Sequence, residues 1–98
     1  VLVGHSHVAL QIADGGAVAG GQAPAGTRLE LGRVRRLLNP GSVGQPRDGD
    51  PRAAWLEIDN DAGWATFRRT AYPVERTQAE MRAAGLPEAL AVRLEHGV

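Results

Sequence analysis

The stretch from Asn39 to Arg52, NPGSVGQPRDGDPR, constrains the fold more than any other part of the chain, because it holds three prolines and three glycines in fourteen residues. Proline fixes one backbone angle and removes a hydrogen-bond donor, so this density excludes a helix and a regular strand. The sequence therefore predicts an irregular loop here. Glycines beside a serine expose backbone N–H groups that could hold an anion, with Arg47 or Arg52 supplying charge. An ordinary surface loop is the alternative.

Before this loop the pattern predicts extended structure. Val1–Val3 has the continuous apolar character of a buried strand that ends at Gly4. Residues 8–13 (VALQIA) form a second extended run, with Val8, Leu10 and Ile12 on one face. The Gly/Ala-rich stretch 14–27 has no periodicity and predicts a surface loop or mobile hairpin end, and residues 28–38 return to extended structure.

After the loop the sequence predicts a β-hairpin and two short helices. Residues 53–59 and 64–72 flank the turn signal Asn-Asp-Ala-Gly, which would place Ala54, Leu56 and Ile58 opposite Ala65 and Phe67. Trp55 and Trp64 would share the other face, packed under the helices or, as the alternative, in a contact with a partner.

The two helices have their own end signals. Thr77-x-x-Glu80 fits a capping box, Gly85 a helix end, and Pro87 the first turn of a second helix. His96 falls in the last turn, where a cation suits the helix dipole, and the Arg68–Arg69 pair is typical of a solvated strand surface.

Composition excludes several classes of function. Eleven arginines balance eleven acidic residues, so the chain lacks the clustered basic excess of a nucleic-acid-binding protein. It has no cysteine, which removes disulfides and thiolate metal sites. No stretch approaches the roughly 20 apolar residues of a membrane span, and the start lacks the features of a signal peptide. A cytoplasmic bacterial protein with no membrane partner is expected.

The segment Gly4-His5-Ser6-His7 carries the clearest chemistry in the sequence. In an extended segment two residues at i and i+2 face the same way, about 6.6 Å apart. His5 and His7 could then bind one metal ion or two neighbouring ions, and Gly4 would let the backbone turn sharply. Two partly exposed histidines at a strand end are the alternative. Asp48-Gly49-Asp50 lacks the ligand spacing of an EF-hand, so calcium is not expected.

GHSH, followed some thirty residues later by LLNPGSVGQPRDGDPRA, closely resembles the carboxy-terminal part of the calcineurin-like metallophosphoesterases, in particular their compact bacterial phosphodiesterase branch. The resemblance runs from residue 1 to about residue 72 and is expected to extend to the end. It implies an α/β (α+β) fold: the C-terminal part of a β-sandwich flanked by helices, in four αββα layers. Residues 1–98 would form the C-terminal portion of one such domain.

The resemblance also implies roles for individual residues. His5 and His7 would each bind a different ion of a two-metal centre, with Mn, Fe, Ni or Zn as candidate divalent transition metals. Asn39 and Ser42 of the NPGS turn, together with Gly4 and Gly41, would support the metal loop. Arg47 would approach the substrate phosphate. Ser6 stands where the family commonly has Thr, a conservative departure.

The family's earlier motifs, Asp-x-His, Gly-Asp, Gly-Asn-His-Asp/Glu and a further lone His, are absent from this sequence. Gly49-Asp50 follows GHSH, whereas the family's Gly-Asp precedes it. The expectation is that the amino-terminal half of the domain, which would hold the general acid, lies outside these 98 residues, so that no catalytic residue belongs to this chain.

The sequence therefore predicts part of a metal-dependent phosphoesterase, in which a two-metal-activated hydroxide hydrolyses a phosphodiester or phosphomonoester of a small molecule. Alone, the 98 residues would be inactive and would pair with the missing amino-terminal portion or with another chain. A homo-oligomer is one form that such pairing could take, and nucleic acid is not expected as a partner. The alternative is a non-catalytic β-rich binding or assembly module that pairs with another subunit.

Overall fold

Six strands followed by two helices make up the chain in a computed structural model that describes all of residues 1–98. The α+β class predicted from the sequence is confirmed. The strands are β1 Ala9–Asp14, β2 Val18–Gln22, β3 Arg28–Glu30, β4 Arg35–Pro40, β5 Ala53–Asp59 and β6 Trp64–Thr70, and the helices are α1 Val74–Ala83 and α2 Glu88–His96.

The first sheet is antiparallel and has the strand order β2-β1-β4. The prediction of a loop over residues 14–27 is wrong for β2, which pairs along the length of β1. A Cβ on Gly20 would lie 2.2 Å from the carbonyl oxygen of Gln11, so glycine here permits a close approach of the two strands. An exposed edge strand needs backbone pairing and little side-chain packing, which is why its apolar periodicity is weak.

Val1–Val3 runs parallel to β4. The amide of Val3 donates to Leu38 O at 3.0 Å, and the amide of Leu38 donates to Val1 O at 2.9 Å. The predicted burial of this run is wrong within the chain, because Val1 is 86% exposed and Leu2 58%. No element of these 98 residues packs over it.

The second sheet is also antiparallel, in the order β3-β6-β5. Its hairpin confirms the predicted register, with Leu56 opposite Phe67 and Ile58 opposite Ala65. The extended run predicted over residues 28–38 divides into β3 and β4, which belong to different sheets.

The small core lies between the two sheets. Ala9 and Leu38 of the first sheet and Ala65 and Phe67 of the second are buried together with Ala23, and three partly buried leucines pack against them. Alanine in three of these five positions keeps the side chains between the sheets short. This packing fixes the ends of β1 and β4, where the motif residues lie.

The tryptophans share the opposite face of the hairpin, as predicted, but the closing helices do not bury Trp55. Trp55 is 40% exposed and donates from Nε1 to Thr70 Oγ1 at 2.9 Å. Trp64 packs instead against a neighbouring cation, with the guanidinium carbon of Arg28 lying 5.4 Å from the ring centroid.

The two helices follow the sheets and pack against each other. The buried Gln78 of α1 connects them, because its Nε2 donates to Ala91 O of α2 at 2.9 Å. The capping-box prediction is wrong, because α1 begins at Val74 and Thr77 lies inside it. Pro73, which cannot donate a backbone hydrogen bond, occupies the N-cap position instead. At 10 and 9 residues, the two helices fall short of the length needed to cross a bilayer.

Candidate functional site

The GHSH segment is a bent loop and not the extended strand end that the sequence predicts. His5 and His7 have φ angles of 79° and 60°, in the left-handed region that non-glycine residues seldom adopt. The two imidazoles are therefore not related by strand alternation. Such backbone persists only where the surroundings hold it, and it clusters at functional sites.

Asn39 supplies part of that support from the end of β4. It is 2% exposed, and its Nδ2 donates to Gly4 O at 3.2 Å and to Ser6 Oγ at 2.8 Å. Its Oδ1 accepts the amide of Gly41 at 3.0 Å. One buried side chain thus ties the GHSH loop to the NPGS turn.

Gly41 lets the chain turn directly after Pro40, the last residue of β4. It has a φ of 91°, and a Cβ there would lie 2.8 Å from the Cβ of Ala54 and 3.3 Å from that of Ala9. The turn therefore needs glycine both for its backbone angle and for lack of space.

His7 is held by the same loop through its ring. Its Nδ1 lies 2.8 Å from the carbonyl oxygen of Gln45, and Ser42 Oγ accepts the amide of Gln45 at 2.9 Å. A carbonyl oxygen only accepts, so Nδ1 carries the proton and Nε2 of the neutral ring carries the lone pair. Nε2 makes no hydrogen bond within the chain, which is the arrangement typical of a metal-ligating histidine.

Arg47 contacts the backbone of His7 and the side chain of Gln45. Its backbone amide donates to His7 O at 2.9 Å, and its guanidinium donates to Gln45 Oε1, at 2.7 Å from Nη2. The side chain is exposed and its charge has no carboxylate partner. The structure thus brings the predicted residues Asn39, Ser42 and Arg47 to the histidine loop.

Sequence reasoning missed an ion pair behind the loop. Asp48 and Arg69 form a salt bridge in which each side chain is 5% exposed, so the prediction of a solvated Arg68–Arg69 pair is wrong for Arg69. Arg68 does lie at the surface, paired with Glu57. Strand alternation carried the missing signal, because Arg69 shares the inward face of β6 with Phe67.

An apolar groove of about 500 Å³ adjoins the loop on the open face of the first sheet. Val8, Leu10 and Ile12 line it on one face of β1, as predicted, and Ser6 lies at its edge next to the histidines. The residues of β2 form the other wall.

The chain alone does not complete a metal-binding cluster. No three His, Cys, Asp or Glu side chains are placed so that they could hold one ion together. His96 lies at the end of α2, where its side chain is 61% exposed and contacts Glu95 and neither of the other two histidines. The imidazoles of His5 and His7 are chemically suited to act as metal donors.

Two proteins illustrate what this chain is similar to. The crystal structure of a metallophosphoesterase from Sphaerobacter thermophilus superimposes with a TM-score of 0.91 and 44% sequence identity, over 99% of this chain and 42% of that one. An uncharacterized protein of Methanocaldococcus jannaschii is 30% identical over 100 residues, which cover 96% of this chain and 37% of the relative. No protein-family profile matches the sequence. The chain thus spans less than half the length of either similar protein.

Proposed function

We propose that this chain, whose resemblance to the calcineurin-like metallophosphoesterases is confirmed in sequence and in structure, forms part of a metal-dependent hydrolase of phosphate esters. Its contribution would be two imidazole ligands, His5 and His7, on a loop held by the NPGS turn. The phosphodiester or phosphomonoester substrate would be a small molecule.

The observation that carries the proposal is the hydrogen bond from His7 Nδ1 to the Gln45 carbonyl at 2.8 Å. It fixes the tautomer that offers Nε2 to a metal, and such second partners also raise the basicity of the ligand. Two features of His5 support the same role. Its backbone has a strained φ of 79°, and its imidazole makes no hydrogen bond that would compete with a metal. Strain of this kind costs about 1–3 kcal/mol for each residue and is typical of ligand sites.

Each motif residue around the histidine loop would then have a distinct role. Asn39 fixes the path of the loop, and Ser42 fixes Gln45, so that the His7 ring is oriented before a metal arrives. Arg47 provides a planar cation beside His7 that suits a phosphate oxygen. Bound divalent ions would supply Lewis-acid charge for the phosphoryl group and an activated water as nucleophile. The proton donor for the leaving group would lie outside this chain.

The test is hydrolysis of an aryl phosphodiester and an aryl phosphomonoester by the full-length protein, before and after removal of metal by a chelator. We expect turnover to require added Mn, Fe, Ni or Zn, and to fall by orders of magnitude in His5→Ala and His7→Ala. His96→Ala is the matched control and should retain full turnover, since the His96 side chain is exposed and contacts only Glu95. Undiminished turnover of both loop variants under chelator would contradict the proposal.

A non-catalytic binding or assembly module is the second candidate, and the exposure of Trp55 favours it. An aromatic side chain 40% exposed on a strand suits contact with another chain. Trp55→Ala should then weaken association with a partner subunit or a second copy, measured by sedimentation, and full-length protein that is inactive with every metal would favour this candidate.

A further inference from the structure

The segment 45–48 runs alongside residues 7–9 and contacts them at three successive points. Gln45 O accepts from His7 Nδ1 at 2.8 Å, and the amide of Arg47 donates to His7 O at 2.9 Å. Asp48 Oδ2 then accepts the amide of Ala9 at 3.2 Å. The contact from His7 Nδ1 to Gln45 O orients the ring. The contacts of Arg47 and Asp48 fix the distance between the two segments, and the first contact needs that distance.

The third contact rests on a buried charge. Asp48 is held by Arg69, and both side chains are 5% exposed. Arg69 also donates to Asp50 O at 3.4 Å and Arg52 O at 3.2 Å, so its fork spans the loop that follows Asp48. Asp48 Oδ1 is buried with no hydrogen-bond partner.

Burial of two charges is costly, and apolar residues of similar volume often stabilise a protein as well or better. The pair therefore calls for a role other than stability. Pro46, less than 2% exposed, lies between the two contacts to His7 and leaves the segment little room to adjust. We therefore expect a displacement of Asp48 to displace the Gln45 carbonyl as well.

We propose that the Asp48–Arg69 ion pair is a positioning device for His7: it holds segment 45–48 against the start of β1, so that the Gln45 carbonyl fixes the Nδ1–H tautomer of the ring. The inference deepens the proposed function, because it assigns the ring's Nε2 to a metal. Both are positioning residues, because neither side chain contacts the His7 ring itself.

The test uses Asp48→Leu combined with Arg69→Met in the full-length protein, a double variant that removes both charges and leaves no unpaired one. The first readout is the ¹⁵N chemical shifts of the His7 ring in metal-free protein. The wild type should show the Nδ1–H tautomer alone, and the double variant a mixture of tautomers. The second readout is Zn²⁺ affinity by calorimetry, which should fall by about 10- to 100-fold.

The matched control is Glu57→Gln with Arg68→Gln, which removes the exposed ion pair one residue away on β6. It should leave the tautomer and the Zn²⁺ affinity unchanged. A double variant that keeps both the Nδ1–H tautomer and wild-type affinity overturns the inference. The tautomer is measured without metal or substrate, so its result stands even where the protein proves to have no phosphoesterase activity, and the two proposals can fail separately.

Should the apolar double variant not fold, Asp48→Asn replaces it. The amide can still accept from the Ala9 amide but no longer forms an ion pair with Arg69, so Zn²⁺ affinity should fall by about 10-fold, at the lower end of the range for such contacts. Unchanged affinity and an unchanged tautomer would overturn the inference in this variant as well.

Discussion

His7 Nδ1 lies 2.8 Å from the carbonyl oxygen of Gln45, a residue 38 positions further along the chain. The contact joins the two motifs on which the resemblance to metallophosphoesterases was based. Asn39 joins them a second time, from the opposite side of the loop, through Gly4 and Ser6. GHSH and NPGSVGQPR are therefore one structural unit.

Asn39→Ala should destabilise the protein by about 1–3 kcal/mol, because it removes the hydrogen bonds of a buried side chain to the Gly4 carbonyl and the Gly41 amide. Urea-induced unfolding of the full-length protein measures this. Asn60→Ala is the control, since Asn60 is exposed in the β5–β6 turn and makes no side-chain hydrogen bond. Equal stability of the two variants would show that the Asn39 contacts contribute nothing.

Gly41→Ala should cost about 1–3 kcal/mol, because the added methyl group would meet Ala54 and Ala9 at a backbone angle that favours glycine. Gly44→Ala is the matched control in the same loop, where a Cβ would have no atom within 4 Å. It should change stability by less than about 0.5 kcal/mol. Thermal unfolding of both variants measures this difference in stability. A Gly41→Ala variant as stable as Gly44→Ala would contradict the packing described for this turn.

Much of the fold could be predicted from the sequence, because the hairpin combines a turn signal with strict alternation. Leu56 and Ile58 therefore lie opposite Phe67 and Ala65 as expected. β2 could not be predicted, since an exposed edge strand carries no apolar periodicity and its glycines resemble those of a loop. The left-handed angles of His5 and His7 have no local sequence signal either, because they depend on contacts with residues more than thirty positions away.

The candidate site shows the same division. The motifs identify His5, His7, Asn39 and Ser42, and the structure brings these residues to one loop cluster, although their roles stay predictions. The charge of Arg69 predicts a surface position, whereas its alternation with Phe67 along β6 predicts the buried face, where the structure has it. Strand alternation therefore predicts the burial of an arginine better than its charge does, where a buried carboxylate can pair with that charge.

Stability should fall in acid partly through Asp50. The side-chain hydrogen bond from Arg52 holds the pKa of the Asp50 carboxyl below its ordinary value. A carboxyl whose pKa is lower in the folded state stabilises the protein above the unfolded-state pKa, about 4, and loses that contribution as the pH falls through the folded-state value. Asp50→Asn should flatten the dependence of unfolding free energy on pH below about 4. Asp61→Asn, in an exposed turn, is the control, and the same slope in Asp50→Asn and wild type would contradict this account.

The 98 residues by themselves should show no phosphatase turnover and should bind at most one metal ion weakly. They offer two imidazoles and no cluster of three ligating side chains, and carboxylates would be needed to bridge two ions and balance their charge. Addition of the amino-terminal portion in trans should restore both properties. A tight two-metal site with turnover in the isolated segment would show that Asp48, Asp50 or Asp59 supplies ligands.

The most direct test of the central claim is the number of divalent metal ions bound per molecule of the full-length protein, measured by elemental analysis after dialysis. The wild type and His96→Ala should retain two ions, whereas His5→Ala and His7→Ala should each retain about one, because each histidine would ligate a different ion. A stoichiometry that is the same in all four proteins would contradict the assignment of His5 and His7 as metal ligands.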